Sequence, residues 1–360
     1  MAQSTSAQGS LISLDSHGGW PAVLSRVTAG DELEPELLTA AFGEILAGRA
    51  TSAQIAAFAI GMRTKTESVA ELGAALDAME FYGVPVPISD DVRARAICTC
   101  GTGGDRSHSI NISTTAAFVV AGAGGTVCKH GNRAASSQCG SADVLEALGV
   151  AIDIEPVVVA RCIEATGMGF CLAPRFHPAM RHAAPTRREL GVATMFNFLG
   201  PLANPGRIRR QLVGVSDPTM APKMLGVLRK RGADRAMVVF GHDGLDELTT
   251  TTTSTLLFLR DGEIVELTVD PTSFGLPLAT IDQLRGGSAT ENARFLRAVL
   301  DGAHGPHRDI VLLNAAAACV VAGLANNLAS GLAIAMESID SGRATAALDA
   351  LIRVSNEPTA

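Results

Sequence analysis

The chain has 360 residues, a formal net charge of −7 at pH 7, and 47% hydrophobic but only 4% aromatic residues. This length predicts one large domain with a smaller one, and a core of Ala, Val, Leu and Ile favours α/β packing. The acidic balance argues against a nucleic-acid partner, although a local basic cluster can still hold an anionic substrate.

The cysteines and the apolar segments bear on the cellular location of the protein. Seven cysteines without a C-x-x-C pair are typical of reduced thiols and predict a cytoplasmic location. Residues 1–19 are rich in Ser, Gln and Gly and lack a long apolar run, so we expect a disordered tail rather than a signal peptide. The apolar residues 315–325 are too few to span a bilayer and predict a buried helix, so no membrane partner is expected.

Three helices are predicted near the start of the chain, at residues 35–48, from residue 51 onward, and at residues 67–81. The first has Pro35 in its first turn and Gly48 after its end, and Thr51-x-x-Gln54 is a capping-box pattern. These segments carry no cluster of catalytic residue types. We therefore expect a smaller all-helical N-terminal domain at residues 20–84, with an aliphatic surface suited to self-association.

After the proline-rich residues 84–87, predicted strands and helices alternate. The strands are expected at residues 97–100, 125–129, 211–215 and 236–240, and the helices at residues 114–123, 143–148 and 218–231. This alternation predicts a mostly parallel central sheet flanked by helices. Asp261-Gly262 predicts the turn of an antiparallel hairpin formed by residues 256–260 and 263–269. Residues 171–188 are rich in Pro and basic residues and show no strand pattern.

A glycine-rich loop follows the first predicted strand. Gly101-Thr-Gly-Gly-Asp105 leads to Asn111-x-Ser-Thr114 at the start of a helix. Its glycines allow backbone N–H groups to approach an anion closely, although an ordinary turn is the alternative. The spacing matches neither the dinucleotide fingerprint nor the P-loop. An acid in such a loop suits a ligand that carries hydroxyl groups or a metal as well as phosphate.

Two further polar loops follow predicted strands. Lys129 to Ser137 holds two cations, an imidazole, an amide and hydroxyl groups, a donor density suited to phosphate. Asp246 and Glu247 are hard oxygen ligands suited to Mg²⁺ that bridges a polyphosphate. Open α/β sheets bind ligands at the carboxyl ends of their strands, so we expect these loops to converge on one ligand.

These motifs, together with Arg187, Asn197 to Pro205 and Asp243 to Thr249, resemble the signatures of the anthranilate phosphoribosyltransferase family of tryptophan biosynthesis. The resemblance runs from Trp20 to near the C-terminus. It implies that 5-phosphoribosyl 1-diphosphate (PRPP) and anthranilate give N-(5-phosphoribosyl)anthranilate and pyrophosphate.

The resemblance also implies the residues of the site. PRPP is expected to contact Gly101, Gly104, Asp105, Ser109, Asn111, Ile112, Ser113, Thr114, Lys129, His130, Gly131, Asn132, Arg133, Ala134, Ala135, Ser136, Ser137 and Ser141. Anthranilate is expected to contact Gly101, His130, Asn132, His177 and Arg187, and two Mg²⁺ ions are expected at Ser113, Asp246 and Glu247. Ser109 stands where the family usually has Thr, which also supplies a hydroxyl group.

The expected mechanism does not require a strong general base, because an aromatic amine is neutral at pH 7 and already carries its lone pair. Lys129 and the metal-bound Asp246 and Glu247 would stabilise the leaving group by position and charge. Arg187 would bind the anthranilate carboxylate, with the adjacent Arg188 as the alternative, because Arg presents a planar fork that matches a carboxylate.

The resemblance further implies that residues 171–195 return to the helical domain, while residues 88–170 and 196–360 form the PRPP-binding α/β domain. It also implies a homodimer formed through the helical domain. One alternative is a pyrimidine-nucleoside phosphorylase, which releases no pyrophosphate and should not need Asp246 and Glu247. A second is a nucleic-acid-binding relative, which would show a basic face.

Overall fold

The computed structural model describes residues 13–134 and 138–358 and divides the chain into two compact units. Unit 1 runs to Gly83 and includes Pro178–Leu199, whereas unit 2 comprises Val84–His177 and the chain from Gly200 onward. The segment that returns to the helical unit therefore begins at Pro178, later than the predicted residue 171. Residues 1–12, which belong to the predicted tail, lie outside the described residues, as do Ala135, Ser136 and Ser137.

The helices and strands are as follows. The helices are α1 (Gly19–Ala29), α2 (Pro35–Leu46), α3 (Ser52–Lys65), α4 (Val69–Tyr82), α5 (Asp90–Arg95), α6 (Ile112–Gly122), α7 (Ser141–Ala147), α8 (Pro156–Thr166), α9 (Ala173–Phe176), α10 (Ala184–Leu190), α11 (Met195–Leu202), α12 (Ala221–Lys230), α13 (Ala289–Leu300), α14 (Pro306–Ala322), α15 (Leu328–Asp340) and α16 (Arg343–Ser355). The strands are β1 (Ala96–Gly101), β2 (Thr126–Gly131), β3 (Met168–Leu172), β4 (Arg210–Gly214), β5 (Arg235–Gly241), β6 (Ser254–Arg260) and β7 (Glu263–Val269).

Unit 1 contains α1 to α4 and α10, together with the first residues of α11. The predicted capping box at the start of α3 is present, since Thr51 Oγ1 accepts from the Gln54 N–H and Gln54 Oε1 accepts from the Thr51 N–H. Such a cap contributes about 1 kcal/mol to helix stability. A 3₁₀ turn at Leu14–His17 corrects the prediction of a tail to residue 19. Leu14 is buried in the core, which explains why regular structure is present before residue 19.

Unit 2 contains a sheet whose described strands lie in the order β3-β2-β1-β4-β5-β6-β7. In this order, β3, β2, β1, β4 and β5 pair in parallel, and β6 and β7 are added antiparallel. This confirms the mostly parallel sheet and the predicted hairpin. Asp261 and Gly262 have φ values of 53° and 83°, and two positive φ values are typical of the tight turns that match the twist of paired strands.

The strand β3 was not predicted, and part of it falls in the segment that the sequence reading treats as irregular. All of its residues are buried, and Gly167, with φ of 74°, ends α8 directly before it. A short apolar run next to a helix cannot be distinguished from that helix by periodicity. β3 and α9, which packs against it, belong to unit 2, and the return to the helical unit follows them at Pro178.

The core of unit 2 includes α14, which packs against α6 and α15. The buried helix predicted at residues 315–325 is therefore confirmed for its part within α14. In the described parts of the chain, no helix combines the length and apolar character needed to cross a bilayer. The parallel strands end at one edge of the sheet, where the loops after β1, β2, β4 and β5 meet.

Candidate active site

The loop after β5 carries two carboxylates that face the glycine-rich loop and α6. The Gly103 N–H donates to Asp246 Oδ2 at 2.7 Å, and the Ser113 N–H donates to the Glu247 carboxylate. Burial and the Asp105 charge raise the pKa of Asp246 to about 7. Burial and the Asp246 charge raise the pKa of Glu247 well above its ordinary value. The arrangement therefore concentrates negative charge that the protein compensates only in part.

Lys129 is 1% exposed and lies close enough to Glu247 for their charges to interact. Its Nζ donates to the Thr99 carbonyl at 2.6 Å and lies 3.4 Å from Ser113 Oγ. Burial lowers the pKa of Lys129, while the Glu247 charge favours its protonated form. The structure thus brings together the glycine-rich loop, Lys129 and the loop that carries Asp246 and Glu247. One ammonium group lies among several carboxylates.

Two glycines make room for Asp246. A Cβ atom at Gly101 would lie 2.4 Å from Asp246 Oδ2, and one at Gly214 would lie 1.6 Å from the Asp246 carbonyl oxygen. Real Cβ atoms do not approach polar atoms this closely, so the last residues of β1 and β4 must be glycine while Asp246 keeps this position. Gly101 therefore has a steric role beside its predicted contact with substrate.

The rest of the glycine-rich loop is held by its own polar groups. Gly104 has φ of 83°, a conformation that suits glycine. Asp105 accepts from the Ser107 N–H and hydroxyl group, and Ser107 Oγ accepts from the Ser109 N–H at 3.2 Å. Ser216, which follows β4, donates to the Gly103 carbonyl at 2.8 Å. These hydrogen bonds define the path of the loop.

The residues around the start of α6 have different surroundings. Asn111 Nδ2 donates to the Cys139 carbonyl at 3.2 Å, and its Oδ1 accepts from Asn292 Nδ2 at 2.9 Å, so this amide bridges loops. Ile112 and Thr114 are buried at 2% and 1% exposure, while Ser113 is half-buried beside Lys129. The structure brings Ser113 to the acid cluster, and it buries its two neighbours in the core.

His130 and His177 form a ring pair with centroids 5.2 Å apart. His130 Nδ1 donates to the Gly200 carbonyl at 3.0 Å, and His177 Nε2 donates to the Ala203 carbonyl at 2.8 Å. Burial and the His177 charge lower the pKa of His130 to about 3, and burial lowers the pKa of His177, so both rings are neutral at pH 7. Among the described residues, the remaining ring nitrogens have no hydrogen-bond partner. Each ring therefore presents a free acceptor.

The described residues that follow Lys129 in the polar loop after β2 largely contact α7. Arg133 donates to Asp143 and Glu146 at 3.1 and 2.8 Å, so its guanidinium group is occupied by acids. Asp143 Oδ2 also accepts from the Ala134 N–H at 2.9 Å. The PRPP contact of Arg133 stays a prediction, and it would require the guanidinium group to exchange these carboxylate partners for phosphate.

The remaining residues of this loop lie around the start of α7. Asn132 Oδ1 accepts from the Arg133 N–H at 2.8 Å, and the Asn132 carbonyl accepts from the Ala142 N–H. A Cβ atom at Gly131 would lie 2.6 Å from Ser141 Oγ, so glycine is needed where β2 approaches this hydroxyl group. The predicted contacts at Ala135, Ser136 and Ser137 lie outside the described residues.

Arg187 belongs to unit 1, where it is half-buried in α10. Its guanidinium group lies over the Phe196 ring at 5.5 Å from the centroid, and burial lowers its pKa. The adjacent Arg188 is exposed. A desolvated guanidinium stacked on an aromatic ring is suited to bind a planar carboxylate, so the local structure favours Arg187 over Arg188 for this role.

Sequence reasoning missed several polar residues that support the cluster. The Thr99 carbonyl accepts from Lys129, Ser216 holds the glycine-rich loop, and Asn314 bonds to the segment that carries Asp246 and Glu247. Asp243 was noted only as part of a motif, and the structure shows that it bonds to the same segment. Ser216 follows a strand at the same edge, and Asn314 is an isolated amide in an apolar run, so both signals were available. Within residues 13–134 and 138–358, no group of three or more His, Cys, Asp or Glu side chains is arranged to hold a metal by itself.

Comparison with known proteins agrees with this geometry. A model of the glycosyl transferase family α/β domain matches residues 93–345, and a model of its helical bundle domain matches residues 21–82. The anthranilate phosphoribosyltransferase of Salinispora arenicola is 49% identical over 342 residues, which cover 94% of this chain and 97% of that protein.

Solved structures show the same likeness. The crystal structure of anthranilate phosphoribosyltransferase from Thermus thermophilus matches with a TM-score of 0.87 and 37% identity, covering 93% of this chain and 99% of that one. The Saccharomyces cerevisiae enzyme in complex with PRPP and Mg matches with a TM-score of 0.84 and 26% identity, covering 93% and 97%. On these matches, the chain belongs to the anthranilate phosphoribosyltransferase family.

Proposed function

We propose that this protein transfers the phosphoribosyl group of PRPP to the amine of anthranilate, releasing pyrophosphate, in tryptophan biosynthesis. The observation that carries the proposal is the convergence of the Gly103 N–H, the Lys129 ammonium group and the Asp246–Glu247 pair at the carboxyl edge of the sheet. A cluster of this kind combines donors for a diphosphate with acids for its metal. Family membership and the PRPP complex of the yeast relative support the proposal.

The donor set fits Mg²⁺. Asp246, Glu247 and the Ser113 hydroxyl group offer hard oxygen atoms, and a cation would offset the burial and the repulsion that raise the pKa of both acids. Mg²⁺ usually binds one or two carboxylates together with substrate phosphates and water, so a site completed by substrate is expected. We assign these three residues to two Mg²⁺ ions. Bound Mg²⁺ would neutralise charge on the pyrophosphate group.

The residues of this chain bind and orient the leaving group. Displacement at the ribose anomeric carbon develops negative charge on the departing pyrophosphate, which the Lys129 ammonium group and the N–H groups of the glycine-rich loop are placed to stabilise. Asp105, Ser109 and Asn111 keep their proposed contacts with PRPP. Lys129 is fixed in advance by the Thr99 carbonyl, so little reorganisation accompanies the reaction.

The acceptor needs a carboxylate partner and groups that orient its amine. Arg187 is our proposal for the anthranilate carboxylate, because within the described residues its guanidinium group has no acid partner and is already stacked on Phe196. The free ring nitrogens of His130 and His177 suit the N–H groups of an amine, since both rings are neutral and accept at these atoms. Asn132 and Gly101 remain proposed contacts of anthranilate.

An assay of anthranilate fluorescence tests the function. We expect the purified protein to consume anthranilate only when PRPP and Mg²⁺ are both present, with pyrophosphate formed in equal amount. Cleavage of thymidine or uridine with phosphate, together with indifference to anthranilate, would establish the phosphorylase alternative instead. No observed feature favours that alternative, since a phosphorylase has no pyrophosphate to hold at Asp246 and Glu247.

The oligomeric state and location are further parts of the proposal. A homodimer through the helical unit predicts a sedimentation mass twice that of the 37.1 kDa chain. The seven cysteines are all buried and free, in keeping with the proposed cytoplasmic location.

A further inference from the structure

Asn314 is a fully buried amide in the middle of α14, a helix that is otherwise largely apolar in its interior. Its Oδ1 accepts from the Leu248 N–H at 3.0 Å, and its Nδ2 donates to the Leu248 carbonyl at 2.8 Å and to the Ile310 carbonyl at 2.9 Å. The side chain therefore pairs with both backbone groups of the residue directly after Glu247, as a neighbouring strand would.

Asp243 holds the other end of the same segment. Its Oδ1 accepts from the Leu245 N–H at 3.1 Å, and its Oδ2 accepts from the hydroxyl groups of Thr249 and Thr251. Asp243 is exposed, so these bonds define the path of the turn more than they stabilise the whole fold. Residues 243–248 are thus hydrogen-bonded to α14 at Leu248 and to Thr249 and Thr251 at Asp243.

These ties act on a segment that carries two repelling charges. Asp246 and Glu247 are adjacent acids, and Glu247 is buried while Asp246 is half-buried, so an unrestrained loop would turn these like charges toward water. A metal site requires its ligands to be held within about 0.5 Å of the productive geometry. Hydrogen bonds from residues that do not touch the metal commonly orient its ligands.

We propose that Asn314 and Asp243 are positioning residues that hold residues 243–248 so that the Asp246 and Glu247 carboxylates meet the metal accompanying the diphosphate. The inference rests on the proposed function and adds to it two residues that do not touch substrate. Asn314 acts through the Leu248 backbone, and Asp243 acts through the Leu245 backbone.

The test uses the full-length protein with Mn²⁺ as a spectroscopic substitute for Mg²⁺. Free Mn²⁺ is measured by electron paramagnetic resonance in the presence of PRPP, and thermal unfolding is measured without ligands. Asn314→Ala and Asp243→Asn are each expected to weaken Mn²⁺ binding about 10- to 100-fold, the usual effect of removing a residue that orients a metal ligand. Thr251→Val removes the hydrogen bond from the Thr251 hydroxyl group to Asp243 without changing the charge. We expect it to weaken Mn²⁺ binding less than the other two variants do.

Ser338→Ala is the matched control. Ser338 is fully buried and donates to the Val119 carbonyl at 2.7 Å, so the variant also loses a buried hydrogen bond, but on α15 and away from the turn. We expect it to lower the unfolding temperature and to leave Mn²⁺ affinity unchanged. If Asn314→Ala fails to fold, the variants at the exposed Asp243 and the half-buried Thr251 still decide the question.

The inference is overturned if Asp243→Asn and Thr251→Val, and Asn314→Ala where it folds, bind Mn²⁺ within twofold of the unmodified protein. It is equally overturned if Ser338→Ala loses as much affinity as they do. The proposed function has a separate criterion, because its failure would appear in the unmodified protein as absence of both PRPP-dependent Mn²⁺ binding and product.

Discussion

Each unit of this protein buries a lysine beside glutamate, and the two arrangements differ in how their charges are matched. In unit 1, Glu71 is fully buried and accepts from Lys65 Nζ at 2.7 Å, the Leu33 N–H at 2.8 Å and the Ser68 N–H at 2.9 Å. One ammonium group faces one carboxylate, and donors fill the remaining positions. This is the geometry in which a buried ion pair can support a fold.

In unit 2, Lys129 interacts with Glu247, while Asp246 and Asp105 lie close enough that Asp105 raises the pKa of both other acids. Here the acids outnumber the ammonium group. Burial of like charges without full compensation opposes folding, and perturbed pKa values of this kind are typical of functional sites. The contrast shows that a balanced buried pair serves the fold, whereas an unbalanced cluster indicates a bound cation and its anionic partner.

Glu247→Gln sharpens the contrast most strongly. We expect activity to fall by at least about 10³-fold, equivalent to about 4 kcal/mol, because a ligand of the metal is lost. Stability should be unchanged or higher. The pKa of Glu247 is raised on folding, so above the ordinary pKa of 4.5 the ionised carboxylate disfavours the folded state, and Gln removes that penalty. Initial rates and urea unfolding measure both effects, and a loss of several kcal/mol in stability would contradict the account.

Glu71→Gln should give the opposite result. Breaking one partner of a buried pair leaves Lys65 uncompensated and is expected to lower the free energy of unfolding by about 3 kcal/mol. The Mg²⁺ concentration for half-maximal activity should not change. Glu44→Gln provides the control, since its partner Arg49 is 60% exposed and the pair contributes below about 1 kcal/mol. If urea unfolding shows that Glu71→Gln and Glu44→Gln lose the same free energy of unfolding, the buried pair does not stabilise the fold more than the exposed pair.

Arg187→Ala tests a third, intermediate case, a half-buried cation without an acid partner among the described residues. We expect the KM for anthranilate to rise about 10- to 100-fold, since a charge-assisted hydrogen bond contributes about 1.5–3 kcal/mol. The KM for PRPP should change little. The exposed neighbour serves as control, and Arg188→Ala should behave like the unmodified protein. An unchanged KM for anthranilate in Arg187→Ala would refute the role.

The smallest effect concerns acid stability. Burial lowers the pKa of His130 from 6.5 to about 3, so below pH 6.5 the unfolded chain binds a proton that the folded protein does not. The stabilisation is complete above pH 6.5 and decreases by about 1.4 kcal/mol per pH unit on acidification toward pH 3. Between pH 7 and pH 5, His130 should account for about 2 kcal/mol.

Urea unfolding of His130→Gln at these two pH values measures the effect, and we expect its stability to fall less than that of the unmodified protein. The exposed His304 supplies the control, because His304→Gln should retain the full pH dependence. Identical pH profiles for all three proteins would show that His130 takes up its proton while folded.

The sequence predicts the parts of the molecule whose signals are local. The hairpin at Asp261-Gly262 and the cap at Thr51 are encoded within a few residues, and family motifs mark Lys129 and Glu247. The strand β3 was missed because its short apolar run follows a helix directly. The pairing of Arg133 with Asp143 and Glu146 could not be read from the sequence either, since it depends on how the loop folds against α7. Asn314 reaches Leu248 only because α14 packs near the sheet.

The most direct test of the central claim is a crystal structure with Mn²⁺ and PRPP bound, in which anomalous scattering locates the metal. The account predicts a peak about 2.1 Å from carboxylate oxygens of Asp246 or Glu247 and also bonded to diphosphate oxygens, with Lys129 and the Gly103 N–H facing the same diphosphate. A metal that binds elsewhere, or a diphosphate that does not reach these three loops, would contradict it.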